Sequence, residues 1–322
     1  MKLKKILNMK LALFITIFCL FSSILNLSKT NASTIKLGIY PPIIQIDATP
    51  PAKVSSDIFI QNQSEESTNL KIIIKPFKPK GTENGELSFL FKDDEFGADP
   101  LMMQRIKIFD EDKKIDSVIV APMQEKKLKL EIDIPKGETP SDYYFSVIFV
   151  SNTNALSEQS LSQAAAGIAT NVLLSVGPKE KPKGEIIEYS VPFFLQKGPA
   201  PFNVKLRNES DFFITPKGAI IIKNVFGQTI GRIDLLPVNI LAHSTRTIPS
   251  TENSKDLLAN WNESFLLGPY TATLIIALSE EGPLFKRNIY FIGFPIEIVI
   301  GLIIVVVIIV FITRKLRKKL KN

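Results

Sequence analysis

The chain has 322 residues, 45% of them hydrophobic, with 39 Lys and Arg against 32 Asp and Glu, a single Cys and a single His. Five of the basic residues precede Ala32 and six follow Ile312, so 28 face all 32 acidic residues between them, a net of −4. The pI near 9.2 therefore belongs to the two ends, which removes the basic surface that a nucleic-acid partner needs.

The chain opens with Lys2, Lys4, Lys5 and Lys10, then an apolar run from Leu11 to Leu25, then small polar residues around Thr30-Asn31-Ala32. This is the order of a secretory signal, with cleavage expected after Ala32 and residues 1–32 removed; a retained signal anchor is the alternative. Cys19 follows Phe18, which is incompatible with a lipoprotein site. Its loss would leave the exported part without a disulfide, dependent on its hydrophobic core.

Between Ala32 and the C-terminal apolar run, period-2 alternation dominates. Leu128, Leu130, Ile132 and Ile134 alternate with Lys127, Lys129, Glu131 and Asp133, which predicts a half-buried strand. Phe202, Val204 and Leu206 repeat the pattern, as do Tyr270, Ala272, Leu274 and Ile276. Tyr143 to Val150 is apolar on both faces and predicts a central strand. A short helix is expected only at Leu156–Ala166. Many short strands separated by turn signals predict an all-β chain: two tandem immunoglobulin-like antiparallel β-sandwiches. The polar stretch Gly177–Gly184, with Pro178 and Pro182, predicts the linker. The first domain is then 33–176, the linker 177–184 and the second domain 185–289.

The halves share a pattern. Ile58 to Ser64 ends a strand at Asn62-Gln63-Ser64 and a second strand starts at Leu70; Val204 to Ser210 ends at Asn208-Glu209-Ser210 and a second starts at Gly218. Asn and Ser at such corners bond the turn's own backbone. Asn84-Gly85 and Phe226-Gly227-Gln228 predict hairpin turns. Asn62, Asn208 and Asn262 lie in Asn-x-Ser sequons, read as turn residues in a bacterial setting and as glycan acceptors in a eukaryotic or archaeal one.

The C-terminal run predicts a transmembrane helix over 295–312, its 18 residues covering about 27 Å. The basic tail 313–322 is expected in the cytoplasm, which puts the ectodomain outside a single-pass cell-membrane protein. Tyr290, Phe291 and Phe294 are expected at the outer interface. Glu297, one turn from the outer edge, is read as solvated, with contact to a partner helix as the alternative.

The early Pro41-Pro42-Ile43, the Val54-x-x-x-Ile58-x-Ile60-x-Asn62 strand and Ile132-x-Ile134-Pro135-Lys136-Gly137-Glu138 leading into Asp142–Phe149 resemble the first domain of WxL-interacting proteins, cell-surface proteins of Gram-positive bacteria. The order of signal, two sandwiches, one membrane helix and basic tail is similar as well. The resemblance implies a peptidoglycan-associated first domain and a second domain meeting partner proteins, secreted WxL-domain surface proteins and host ligands among them. The chain departs from that family in the acidic insert within Glu86–Pro100, in Asp142 where Gly is usual, and in a loosely matching second domain.

No catalytic, cofactor or metal residue is predicted. His243 stands alone without a Gly-x-Ser-x-Gly elbow; carboxylates are plentiful enough that spacing alone leaves a glycosidase pair open, but two sandwiches filled with strands leave little room for a cleft. The acidic loops Asp93–Asp99 and Asp110–Asp116 lack calcium-loop spacing, and Lys113 and Lys114 oppose a divalent ion. Trp261 is read as a packing residue, with ligand stacking as the alternative. The expectation is a non-enzymatic, membrane-anchored surface protein that binds or scaffolds envelope components, peptidoglycan or secreted partners, through ligand-binding residues that remain unknown. The alternative is a membrane-tethered protein resembling pilus-assembly chaperones, which would offer a strand edge to a subunit.

Overall fold

In the computed structural model the described residues are 35–90, 100–151, 167–251, 257–280 and 282–319; the expected signal segment, the expected short helix and the acidic loop Asp93–Asp99 lie outside them. The chain is mostly β, with one long C-terminal helix. Its first half contributes β1 (Leu37–Tyr40), β2 (Ile43–Ala48), β3 (Ala52–Asn62), β4 (Thr68–Pro79), β5 (Leu87–Phe89), β6 (Ile106–Asp110), β7 (Lys113–Lys114), β8 (Ser117–Val120), β9 (Glu125–Ile134), β10 (Ser141–Ser151) and β11 (Gly167–Val176). They form two sheets, one in the order β1-β3-β9-β6-β7, the other β2-β11-β10-β4-β5 with β8 also on β4.

The alternation expected of Leu128–Ile134 is realised in β9, whose four apolar residues are at most 1% exposed while Lys127 and Lys129 face water. On that wet face Lys127 pairs with Asp57 at 2.9 Å and Lys53 with Glu131 at 2.7 Å, tying β9 to β3. β10 is central, between β11 and β4, as its two apolar faces require. Tyr143, Phe145, Val147 and Phe149 point into the core against Ile58, Ile60, Leu128 and Leu130.

The second half contributes β12 (Gly184–Ser190), β13 (Phe194–Leu195), β14 (Ala200–Asn208), β15 (Lys217–Lys223), β16 (Thr229–Asp234), β17 (Thr245–Thr247), β18 (Ala259–Trp261), β19 (Gly268–Ala277) and β20 (Leu284–Gly293). One sheet runs β12-β14-β17 with β18 also on β14; the other runs β13-β20-β19-β15-β16. Between them lies a second core built on Phe202, Val204, Leu206, Leu274 and Phe291. Trp261 belongs to this core: it is 7% exposed and meets Tyr270 edge-on at 5.5 Å, so packing is its role. The strand glycine Gly231 lets this happen, because a Cβ there would stand 2.6 Å from the indole Nε1. Gly231→Ala is expected to cost about 1–3 kcal/mol by overpacking, read as a lower denaturation midpoint with altered Trp261 fluorescence. An unchanged midpoint would show that the indole moves aside freely.

The shared pattern of the halves is an atomic repeat. Asn62, fully buried, donates its amide to Glu66 O at 2.8 Å, Val120 O at 3.0 Å and Ala121 O at 3.2 Å, and its Oδ1 accepts from Ser64 N. Asn208, also fully buried, donates to Phe212 O at 2.7 Å, Ile240 O at 3.0 Å and Leu241 O at 3.1 Å, and accepts from Ser210 N. Ser64 and Ser210 then accept from the backbone of Lys36 and Lys183, the residues entering the neighbouring edge strands. Each Asn therefore ties a strand end to the loop crossing between sheets. With amides buried and occupied, these two are turn-locking residues.

The helix α1 spans Ile296–Lys319, so it runs on through much of the basic tail. It is long and apolar enough to cross a membrane over Ile296–Arg314. The expected placement of Phe291 at an outer interface is corrected: β20 continues to Gly293, its alternation turns Phe291 inward, and Phe291 is fully buried against Phe202 and Tyr270. Tyr290 and Phe294 are exposed. Glu297 sits in the first turn of α1, where the helix dipole favours a carboxylate.

Candidate functional site

A third, small apolar cluster joins the two sheet pairs. Phe77 and Leu173 come from the outer face of the β2-β11-β10-β4 sheet and Phe213 and Leu241 from the second half. Strand alternation dictates this. With Tyr143 and Phe145 turned into the first core, Asp142, Tyr144, Ser146 and Ile148 must point out, in register with Ser175, Leu173, Asn171 and Ala169 of β11.

Asp142 is the hub of the junction. Its carboxylate accepts from Ser175 Oγ, Tyr144 Oη and Phe213 N, each at 2.6 Å, the last across the junction. Tyr144 Oη in turn accepts from Ala242 N at 3.2 Å. Burial pushes the Asp142 carboxyl above the usual carboxylate range, against the pull of Ser175, Tyr144, Phe213 N–H and nearby Lys179. Burial, the Asp142 charge and the hydrogen bond to it push the Tyr144 phenol far up, so it stays a donor. Lys179, in the connecting segment, lies over the Phe213 ring at 4.4 Å. Farther along, Thr247 N donates to Glu83 O at 2.7 Å, Lys205 pairs with Glu83 at 2.6 Å, and Gln45 bonds Asn239 at 3.1 Å.

Beside these contacts lies a cleft lined by both halves. Its floor is the outer sheet face, with Ile43, Asn171 and Leu173; its wall carries Asn239, Leu241 and Arg246. Arg246 donates Nη1 to Asn239 O at 2.6 Å and lies against Gly85, and among the described residues no carboxylate pairs with it. Burial pushes its guanidinium below the ordinary value, yet an arginine stays charged, so the cleft holds a cation able to receive an acidic group.

Beside the cleft the first half has a strand edge that is unpaired among the described residues. β2 lies parallel to β11 only over Asn171–Val176, with Asn171 N donating to Pro42 O at 3.0 Å. Among the described residues no strand pairs with the outer edge of Gly167–Ala169, and Ala169 N–H, two residues from Asn171, faces the same way; Thr170 is fully buried, its hydroxyl donating to Pro41 O at 2.6 Å. Tyr40 and Ile43, 67% and 45% exposed, flank that edge. The outer edge of β20 is also open, covered by β13 only at Ile292–Gly293, but it carries Lys286 and Arg287, the charges that discourage strand addition. The segment Gly167-Ile168-Ala169-Thr170 carries none.

The residues weighed from sequence fall elsewhere. His243 occupies an exposed turn with φ 54°, its Nε2 2.8 Å from Asp211 Oδ1. In the second acidic loop Asp110 pairs with Lys126 at 2.8 Å. Asp142, Tyr144 and Arg246 were not singled out as site residues. A carboxylate opening an otherwise apolar strand was the available signal for the first; nothing in the pattern around Arg246 marks it.

No family model matches the chain, and no curated protein matches it. Among solved structures it is similar to the class 5 fimbriae chaperone CfaA, at 15% identity and a TM-score of 0.35 over 81% of this chain and 100% of that one. It is also similar to the E. coli chaperone DraB, at 9% identity and a TM-score of 0.34 over 79% and 99%. A third likeness is a chain of the CsuC-CsuE chaperone-tip adhesion subunit complex of Acinetobacter baumannii, at 11% identity and a TM-score of 0.33 over 66% and 88%. Similarity at this level says nothing of what the chain binds.

Proposed function

We propose that this chain is a membrane-anchored, non-enzymatic surface protein of two tandem immunoglobulin-like sandwiches. In this reading it receives an extended segment of a secreted partner protein by strand addition. The observation that carries the reading is the uncharged edge of β11 at Gly167–Ala169, which no strand among the described residues pairs, beside a cleft with exposed apolar side chains and Arg246. The partner's backbone would pair with Ala169, its apolar side chains would rest on Ile43 and Tyr40, and an acidic group would meet Arg246. The helix over Ile296–Arg314 supports a single-pass anchor with the sandwiches outside. The resemblance to WxL-interacting proteins supports a protein partner; for the peptidoglycan it also implies, no feature of the cleft offers support.

Ala169→Pro tests this, because it removes the outward N–H while leaving side-chain packing nearly unchanged. Full-length protein in detergent micelles is mixed with secreted-protein fractions and, separately, with purified peptidoglycan. Capture of a secreted protein that Ala169→Pro abolishes and Arg246→Gln weakens, with an unchanged melting midpoint, is the expected result. Capture unaffected by both changes, or sedimentation with peptidoglycan alone, would refute edge addition.

A further inference from the structure

Loop tips at one end of the second half carry exposed apolar residues. Phe193 and Phe194 lie at β13, Val225 and Phe226 on the β15–β16 turn, and Phe265 and Leu267 before β19; all are 42–83% exposed. The pairing registers put these tips at the end from which α1 leaves. Gly268 pairs with Gly293, the last residue of β20. Ile292 N donates to Phe193 O at 2.8 Å and Phe294 N to Leu195 O at 2.9 Å, so the β13 segment is bonded to the strand that becomes the helix. Lys223 pairs with Thr271, which pairs with Tyr290, and two further residues of the β15–β16 turn extend about 7 Å toward the level of Gly293. Gly198 N donates to Ser264 O at 3.2 Å, joining the first and third loops.

The connection leaves these tips no distance from the helix. Phe294 is still hydrogen-bonded to Leu195, and α1 starts at Ile296, so no flexible spacer separates the sandwich from the helix. If α1 spans a bilayer, the end of the sandwich stands at headgroup level, with apolar side chains facing the lipid. Exposed apolar patches of this kind, rimmed by Lys197 and Lys223, mark a contact surface, and amphipathic ends suit the membrane interface.

We infer that Phe193, Phe194, Val225, Phe226, Phe265 and Leu267 form an apolar collar that inserts into the outer face of the bilayer around α1 and fixes the tilt of both sandwiches. This rests on the reading of α1 as a membrane anchor. The occupant is the lipid surface in which the same molecule is anchored.

Full-length protein with Cys19→Ser, reconstituted in phosphatidylcholine–phosphatidylglycerol vesicles, carries one nitroxide at a time, on Phe226→Cys, Phe265→Cys, Leu284→Cys or Val306→Cys. Collision rates with oxygen and with a water-soluble nickel chelate are compared. Leu284 is 66% exposed and lies at the far end of β20, so it reports water. The expected result is an oxygen-to-nickel ratio several-fold higher at positions 226 and 265 than at 284, with 306 highest. A bilayer reading at 306 with water-like readings at both 226 and 265 would overturn the collar and leave the anchor standing. A water-like reading at 306 would overturn the anchor and the collar with it.

Discussion

Asn208→Asp is expected to lower the stability of the second half by about 3–5 kcal/mol. The wild-type amide gives its two protons to three buried carbonyls, of Phe212, Ile240 and Leu241. An ionised carboxylate in that place would point lone pairs at lone pairs inside a core, and a protonated one would supply a single donor. A domain stable by about 5–15 kcal/mol would lose a large share of its margin. Ser210→Ala should cost less, about 1 kcal/mol, since it removes a neutral hydroxyl that accepts from Lys183 N and donates to Lys183 O at the part-buried corner. Trp261, the single tryptophan, lies in the second core and reports this half alone. A denaturant titration followed by its fluorescence should move far for Asn208→Asp and little for Ser210→Ala. Asn62→Asp, the same lesion in the first half, should leave the Trp261 transition nearly in place if the halves unfold separately. A shift below about 1 kcal/mol for Asn208→Asp would mean that the buried network does not hold the turn.

The strands were legible because alternation is a local signal. Leu128–Ile134, Phe202–Leu206 and Tyr270–Ile276 each carry the burial that their period implies. The recurrence of Asn62-Gln63-Ser64 and Asn208-Glu209-Ser210 pointed to the two corners, although the carbonyls they bind lie as far away as Val120 and Leu241 and could not be named from the sequence. Phe291 was misplaced because the second domain was expected to end at residue 289, and in a run as apolar as Ile289–Ile292 only the pairing with β19 decides which residue turns inward. The cleft was the least legible part. It is made by side chains that point away from both cores, so it depends on how the sheet pairs are set against each other. That arrangement rests on contacts such as Glu83 to Lys205 and Gly85 to Arg246, between segments more than a hundred residues apart. The edge at Gly167–Ala169 follows from where β2 begins, opposite Asn171, which alternation does not encode.

Asp142→Ala is expected to loosen the junction between the sheet pairs, and Asp142→Asn to preserve it. The alanine leaves Phe213 N–H, Tyr144 Oη and Ser175 Oγ without their shared acceptor, a loss of about 2–4 kcal/mol partly offset by relief of the buried charge. The asparagine keeps its oxygen on Phe213 N and Tyr144 Oη, while its amide donates to Ser175 Oγ, whose hydroxyl turns to accept. The charge itself has a pH signature. Burial raises the Asp142 pKa in the folded state above its unfolded value, so between the two values the folded protein binds the proton more tightly. Stability from this group is therefore fullest below the unfolded value and declines as pH rises through the raised folded one. Wild-type protein should lose stability with rising pH across the window just above the usual carboxylate range, and Asp142→Asn should lose less over the same window. Protease cleavage within Gly177–Lys183 reads the junction directly, and it should accelerate several-fold for Asp142→Ala and stay at the wild-type rate for Asp142→Asn. Equal cleavage of all three proteins would show that the apolar cluster of Phe77, Leu173, Phe213 and Leu241 holds the halves without the carboxylate. In that case the cleft would not depend on Asp142. If instead the alanine frees the connecting segment, it should also abolish partner capture, because the edge at Ala169 and the cleft wall with Arg246 would no longer face a common ligand.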